Sequence, residues 1–151
     1  MKTKMKSLMQ VLFAFATAML FAGTAIGADG SAAMAQAPKH KLVVQMSDPD
    51  PMRWNLALNN AQNVQGTLGK ENVDIEVVVY GPGIGMLKAD TVVAQRVDEA
   101  LQRGVKVVAC EVTMRGQKLT KADMLPNVGY VASGVVELMD KQQHGYAYVR
   151  P

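Results

Sequence analysis

Gly104-Val105-Lys106-Val107-Val108-Ala109-Cys110 is the stretch that decides the fold. The glycine closes a helical pattern that buries Val93, Val97, Ala100 and Leu101. The short apolar run after it has the length and β-branched content of a strand covered on both faces, as parallel strands are. The chain's only cysteine falls where that strand ends. In parallel α/β sheets, ligands and chemistry collect at the carboxyl ends of strands. Cys110 is therefore the first candidate for a reactive atom.

Outward from this strand, the chain alternates strands and helices. Upstream, Lys41–Met46 predicts the first strand, and Ser47-Asp48-Pro49-Asp50-Pro51 breaks it. Asp50 caps a helix with Pro51 in its first position, where the absent N–H is no loss. The helix runs to about Leu68 with Trp54, Leu58, Ala61, Val64 and Leu68 on one face, and Gly69 ends it. Val73–Tyr80 predicts the second strand, with Asp74 and Glu76 turned to its solvent side. Gly81-Pro82-Gly83-Ile84-Gly85 is a loop at its carboxyl end, and the helix before Gly104 starts near Asp90 or Thr91.

Downstream, Glu111–Leu119 reads as irregular, and Thr120-Lys121-Ala122-Asp123 has capping-box spacing. Gly129–Ala132 predicts a fourth strand. Ser133 caps a helix carrying Val135, Val136, Leu138 and Met139, Gly145 stops it, and Tyr146–Val149 is the last strand. Five strands with a helical segment between each pair predict an α/β domain with a mainly parallel five-stranded sheet and helices on both faces.

The first 35 residues read as an address. Lys2, Lys4 and Lys6 precede an apolar run from Leu8 to about Ile26, and Ala33-Met34-Ala35 is the clearest cleavage motif. That order is the signature of a secretory signal peptide, the alternative being a retained anchor. A periplasmic or secreted location is expected, with residues 36–40 a flexible lead and 41–151 one domain. Beyond residue 35 the chain holds thirteen basic and twelve acidic residues, a net charge of +1. With no basic run interleaved with aromatics, neither nucleic acid nor, after cleavage, a membrane is an expected partner. One cysteine excludes an internal disulfide and leaves a free or reactive thiol.

Gly104–Cys110, Leu119-Thr120-Lys121-Ala122-Asp123-Met124-Leu125-Pro126, Ser133-Gly134-Val135-Val136-Glu137-Leu138 and Gly145-Tyr146-Ala147-Tyr148-Val149 together resemble the DsrE/DsrF-like family, associated with sulfur oxidation and sulfur relay. The resemblance covers residues 41–151. It implies a three-layer α/β/α sandwich, assembly into homo- or hetero-oligomers, often trimers or hexamers, and a cysteine that carries sulfur as a persulfide to a partner. Cys110 matches that cysteine. The resemblance, taken with the signal-peptide reading, implies an exported sulfur carrier or sulfurtransferase-like protein. A non-catalytic module for a small ligand or metal and an oligomeric member without relay activity are the alternatives.

Around the thiol, Glu111 places a carboxylate that by itself raises a cysteine pKa, with Arg115 and Lys118 available to offset it. Gly81, Gly83 and Gly85, whose backbone N–H groups can approach an anion, form the candidate ligand-binding set together with Thr113. The glycine spacing is not that of a dinucleotide fingerprint or a P-loop, so no cofactor is expected. His144 reads as a helix C-terminal residue bonding exposed carbonyls. His40 has no partner spacing for zinc, and the scattered Met46, Met52, Met86, Met114, Met124 and Met139 read as packing residues, so no metal is expected.

Overall fold

The computed structural model describes residues 39–151, and the expected signal peptide lies outside them. Five strands, β1 (His40–Met46), β2 (Val73–Val79), β3 (Lys106–Cys110), β4 (Gly129–Val131) and β5 (Ala147–Val149), form one sheet in the order β4-β3-β2-β1-β5. Every strand pairing is parallel. His40, expected in the flexible lead, already pairs with Val73.

Helix α1 (Pro51–Leu68) starts as its sequence dictates: Asp50 accepts the Met52 N–H at 2.9 Å and Pro51 occupies the first turn. Gly69 ends it at φ 86°, a left-handed conformation that favours glycine. Helix α2 (Ala94–Gln102) begins later than the Asp90/Thr91 expectation. Gly81–Leu87 winds into a 3-10 segment, and Lys88 then bridges to Met124. The Thr91 hydroxyl is buried without a partner, so it does not cap α2.

Period-two alternation divides the strand side chains between the two faces. Val44, Met46, Ile75, Val77, Val79, Val107 and Ala109 face α1, α2 and the Gly81–Leu87 segment in a large apolar core. The other face is thin. Val43, Val78 and Val108 meet Leu138 of α4 (Gly134–Gln143), with Tyr80, Val131 and Tyr146 at the margins. This is a three-layer α/β/α sandwich with one well-filled and one sparsely covered side.

Two expectations fail on the thin side. Glu76, read as solvent-facing, is 3% exposed. Lys141 of α4 lies over it and pairs with its Oε2 at 2.7 Å, bringing a counter-charge from 65 residues away that alternation cannot reveal. On α4 itself only Leu138 of the expected apolar set is buried, whereas Val135, Val136 and Met139 are more than half exposed. The reason is that α4 presents its Gly134, Leu138 and Lys141 side to the sheet.

Candidate functional site

β3 delivers Cys110 to the carboxyl edge of the sheet, on the thin face, opposite Val131 of β4. The Glu111–Leu119 stretch is not irregular throughout. Residues Glu111–Gly116 form a short helix, α3, that begins directly after Cys110. Cys110 keeps extended backbone angles and is the residue from which the helix starts, so the first N–H groups of α3 turn back toward its sulfur. Buried Met114 anchors the turn, and Leu119 N–H returns to Met114 O at 2.8 Å.

A second helix start converges on the same atom. Ser133 precedes α4 but makes no side-chain capping bond, contrary to expectation, while its carbonyl accepts Glu137 N–H at 3.0 Å. The Gly134 N–H faces the thiol instead. The position is tight: a Cβ on Gly134 would stand 3.0 Å from Cβ of Tyr80 and 3.1 Å from its ring, so Tyr80 would have to give way by a few tenths of an ångström. The Val112 N–H also donates to Ala132 O at 3.3 Å, tying α3 to the β4–α4 junction.

These groups set the thiol's acidity. Burial, the largest influence, pushes Cys110 up, because the thiolate is the form that loses solvation. The Thr113 hydroxyl and the N–H groups of Gly134, Thr113 and Val112 oppose it, and together they hold the thiol below its ordinary value. Sγ makes no side-chain capping bond to α3, so the donors act as convergent dipoles that favour the anion. Glu111 does not govern the thiol as its neighbouring position suggested; the net direction is downward. Cys110 is 4% exposed, a recessed thiol.

Of the expected ligand-binding set, the structure brings Gly81 and Thr113 into this site and leaves Gly83 and Gly85 outside it. Gly81 N–H donates to Thr113 Oγ1 at 2.9 Å. Held by that bond, the Thr113 hydroxyl is the foremost of the groups that lower the Cys110 thiol. Gln117 Nε2 reaches Gly81 O at 3.4 Å, so α3 holds both ends of this glycine, whose φ is 54°. Gly83 and Gly85 instead permit close packing. A Cβ on Gly83 would lie 2.7 Å from Met46 O, and one on Gly85 3.3 Å from the Trp54 ring. Their place is between β1 and α1.

Sequence reasoning passed over Tyr80, which stands beside Cys110, and Ser47, which follows the strand beyond it. Val79 pairs with Met46 on one side and Ala109 on the other, so the next residues, Ser47, Tyr80 and Cys110, stand abreast. The polar residues clustered after β1 and β2 were the available signal. His144 lies at the opposite end of the sheet, where its Nδ1 approaches Asp140 O at 2.7 Å and its carbonyl accepts Lys41 Nζ, the C-terminal role expected of it. Two open clefts, of about 630 Å³ beside Gln65 and Arg103 and about 650 Å³ beside His40 and His144, also lie toward the amino ends. Among the described residues no group of three or more histidine, cysteine or acidic side chains is arranged to hold a metal.

The chain belongs to the DsrE/DsrF-like family, whose model matches residues 13–151. Among solved structures it is similar to a protein of unknown function from Methanobacterium thermoautotrophicum, at 34% identity and a TM-score of 0.71, over 75% of this chain and 100% of that one. The ychN protein from E. coli (13% identity, TM-score 0.59, 76% of this chain and 100% of that one) shares the fold. So does a conserved protein of unknown function from Bacteroides thetaiotaomicron (16%, 0.59, 74% and 94%). A search of curated proteins gave no match.

Proposed function

We propose that this protein is an exported sulfur carrier, with Cys110 as the atom that takes up and releases sulfane sulfur. One observation carries the reading: the chain's single cysteine ends β3 of a DsrE/DsrF-like fold, ringed by donors that favour its thiolate. The thiolate is the nucleophilic form of cysteine. Its attack on the outer sulfur of a persulfide forms a new S–S bond, and the donor's own S–S bond breaks with its electron pair leaving on the donor thiolate. The product is a Cys110 persulfide, and no external oxidant is consumed. Its recessed position shields the loaded sulfur from further oxidation, which tracks exposure.

Export rests on the basic, apolar and small-residue order of residues 1–35. A second copy of the chain is the partner best suited to the thin side of the sandwich, where Val135, Val136 and Met139 of α4 and Tyr148 of edge strand β5 lie exposed. A trimer or hexamer is the proposed assembly, with a sulfur donor or acceptor protein as transient partner.

The direct test is intact mass after incubation with a persulfide or polysulfide. A reductant-labile gain of about 32 Da, one sulfur atom on the cysteine ladder, is expected in the wild type and absent in Cys110→Ala. Failure of the native protein to gain sulfur, with a thiol that alkylates only in denaturant, would sink the carrier reading.

A further inference from the structure

Helix α4 crosses the thin face of the sheet on few holds. At the carboxyl end its first residue, Gly134, packs on Tyr80, the residue that stands abreast of Cys110 on that face. Just ahead of the helix, Ala132 O accepts Val112 N–H at 3.3 Å. Leu138, one turn into the helix, is its one buried apolar side chain. Another turn on, Lys141 reaches Glu76 Oε2 of β2 at 2.7 Å. The helix whose start lies beside the recessed thiol is therefore held to the sheet mainly by Leu138 and this ion pair.

The ion pair is unbalanced. Lys141 Nζ also meets Glu137 Oε1 at 3.4 Å, so two carboxylates share one ammonium. Glu76 is 3% exposed, and its second oxygen, Oε1, is buried without a hydrogen-bond partner. The neighbouring cations are engaged elsewhere. Lys106, in register with Glu76 on β3, bonds Asp74 at 3.0 Å, and the Tyr146 hydroxyl bonds the same carboxylate at 2.6 Å. Lys41 of β1 donates to His144 O at 3.1 Å, and the His144 ring turns to Asp140 O at 2.7 Å. An unpartnered buried acceptor, in a group carrying one excess negative charge, is a defect that a single proton removes. With a proton on it, Oε1 becomes a donor, and the Glu137 carboxylate on the shared ammonium is the acceptor at hand.

We propose that Glu76 is a proton latch for α4: a proton held between Glu76 and Glu137 keeps the helix down beside Cys110, and its loss as pH rises frees the helix and opens the thiol to sulfur donors and acceptors. The inference rests on the carrier reading and adds a control to its site. Burial, the largest influence, raises Glu76; Glu137 adds to it and Lys141 opposes, so the docked helix favours the protonated carboxyl. A carboxyl raised by docking holds α4 most firmly below the ordinary glutamate value of 4.5, and that hold is lost as pH climbs through the raised value. In acid the loaded sulfur stays covered, and toward neutrality it is offered for transfer.

Native hydrogen exchange, with each amide rate divided by its intrinsic rate at the same pH, reads the opening of α4. The α4 amides should exchange through an opening of their own, more readily than those of β1 and β2. From below 4.5 to neutrality that opening should grow by about fivefold or more, the low end for a buried acceptor left unpaired. Glu76→Gln keeps an acceptor for Lys141 and sets an N–H at the orphan position, so its α4 opening should be level with pH. Glu137→Gln, at a more exposed position, should weaken the dependence, and His144→Gln should retain it. Cys110 alkylation by a neutral reagent gives the readout at the thiol: the wild-type rate divided by the Glu76→Gln rate cancels the thiol's own titration and should climb with the α4 opening. Opening that is level with pH in the wild type, unchanged in both glutamine variants, lost in His144→Gln, or common to α4 and the sheet overturns the inference. So does an opening that the alkylation ratio does not follow, since the latch then has no hold on the thiol. A wild type that gains sulfur without any such opening leaves the carrier reading standing. One that opens with pH but gains no sulfur removes that reading and, with it, the latch's role in transfer.

Discussion

Replacing Thr113 with valine removes one oxygen and keeps the shape, so it isolates what that hydroxyl does for Cys110. Thr113 Oγ1 accepts Gly81 N–H at 2.9 Å and is the foremost of the groups lowering the thiol. A hydrogen bond to a charged group contributes about 1.5–3 kcal/mol, and sulfur as a diffuse acceptor belongs at the low end. At about 1.4 kcal/mol for each pH unit, the inflection of thiol reactivity should rise by about one unit. Below the inflection that leaves tenfold less thiolate. Nucleophilicity rises with basicity at a Brønsted slope of about 0.4–0.5, so alkylation should slow only about threefold to fourfold. Above the inflection the variant should react faster than wild type by a similar factor. The assay is the alkylation rate of native protein against pH, read by mass. Thr113→Ser retains the hydroxyl and should follow the wild type. Coincident Thr113→Val and wild-type curves, or a serine variant as shifted as the valine one, would refute the reasoning. Stability should also fall by about 1 kcal/mol, since the Gly81 N–H loses its acceptor.

Gly83→Ala would set a methyl 2.7 Å from the Met46 carbonyl, a backbone atom that cannot rotate away, and should destabilise the fold by about 1–3 kcal/mol in urea unfolding. Gly85→Ala meets the Trp54 ring at 3.3 Å and should cost less by the same measurement. Burial, then hydrogen bonding to Glu137, raises Glu76, while Lys141 opposes it. A carboxyl raised in the folded state binds its proton more tightly there, so wild-type stability declines as pH rises from the unfolded glutamate value of 4.5 toward the folded one. Glu76→Gln carries no such proton, so the melting temperature of the variant minus that of the wild type should climb through this window and then level. Asp74 is lowered despite its burial, through Tyr146 and Lys106, and acts below 3.8 in both proteins, so it cancels. A flat or falling difference would reject the assignment. Val136→Glu places a charge on the exposed side of α4 and should dissociate the proposed oligomer in light scattering while leaving monomer stability within about 0.5 kcal/mol. Unchanged mass would remove this face from the interface.

The amino-acid sequence carried the order of the five strands and of α1, α2 and α4, though not the short α3, because that order is written in local signals. Asp50-Pro51 and Gly69 bound α1, Gly104 precedes β3, and Thr120 and Asp123 form the reciprocal capping box their spacing announced. Cys110 as the reactive candidate was equally legible, being the chain's only thiol at a strand's end. The strand order, the burial of Glu76 beneath Lys141 and the exposure of Val135, Val136 and Met139 were not. Each depends on which distant segment lies on the thin face of the sheet, and periodicity records only that a side chain alternates, not what meets it. The acidity of Cys110 is the same kind of fact. Its neighbour Glu111 argues for a weaker acid, but the fold turns Thr113, Gly134 and Val112 toward the sulfur and reverses the sign. Helix starts and a hydroxyl act through distance and direction, and only tertiary structure supplies those.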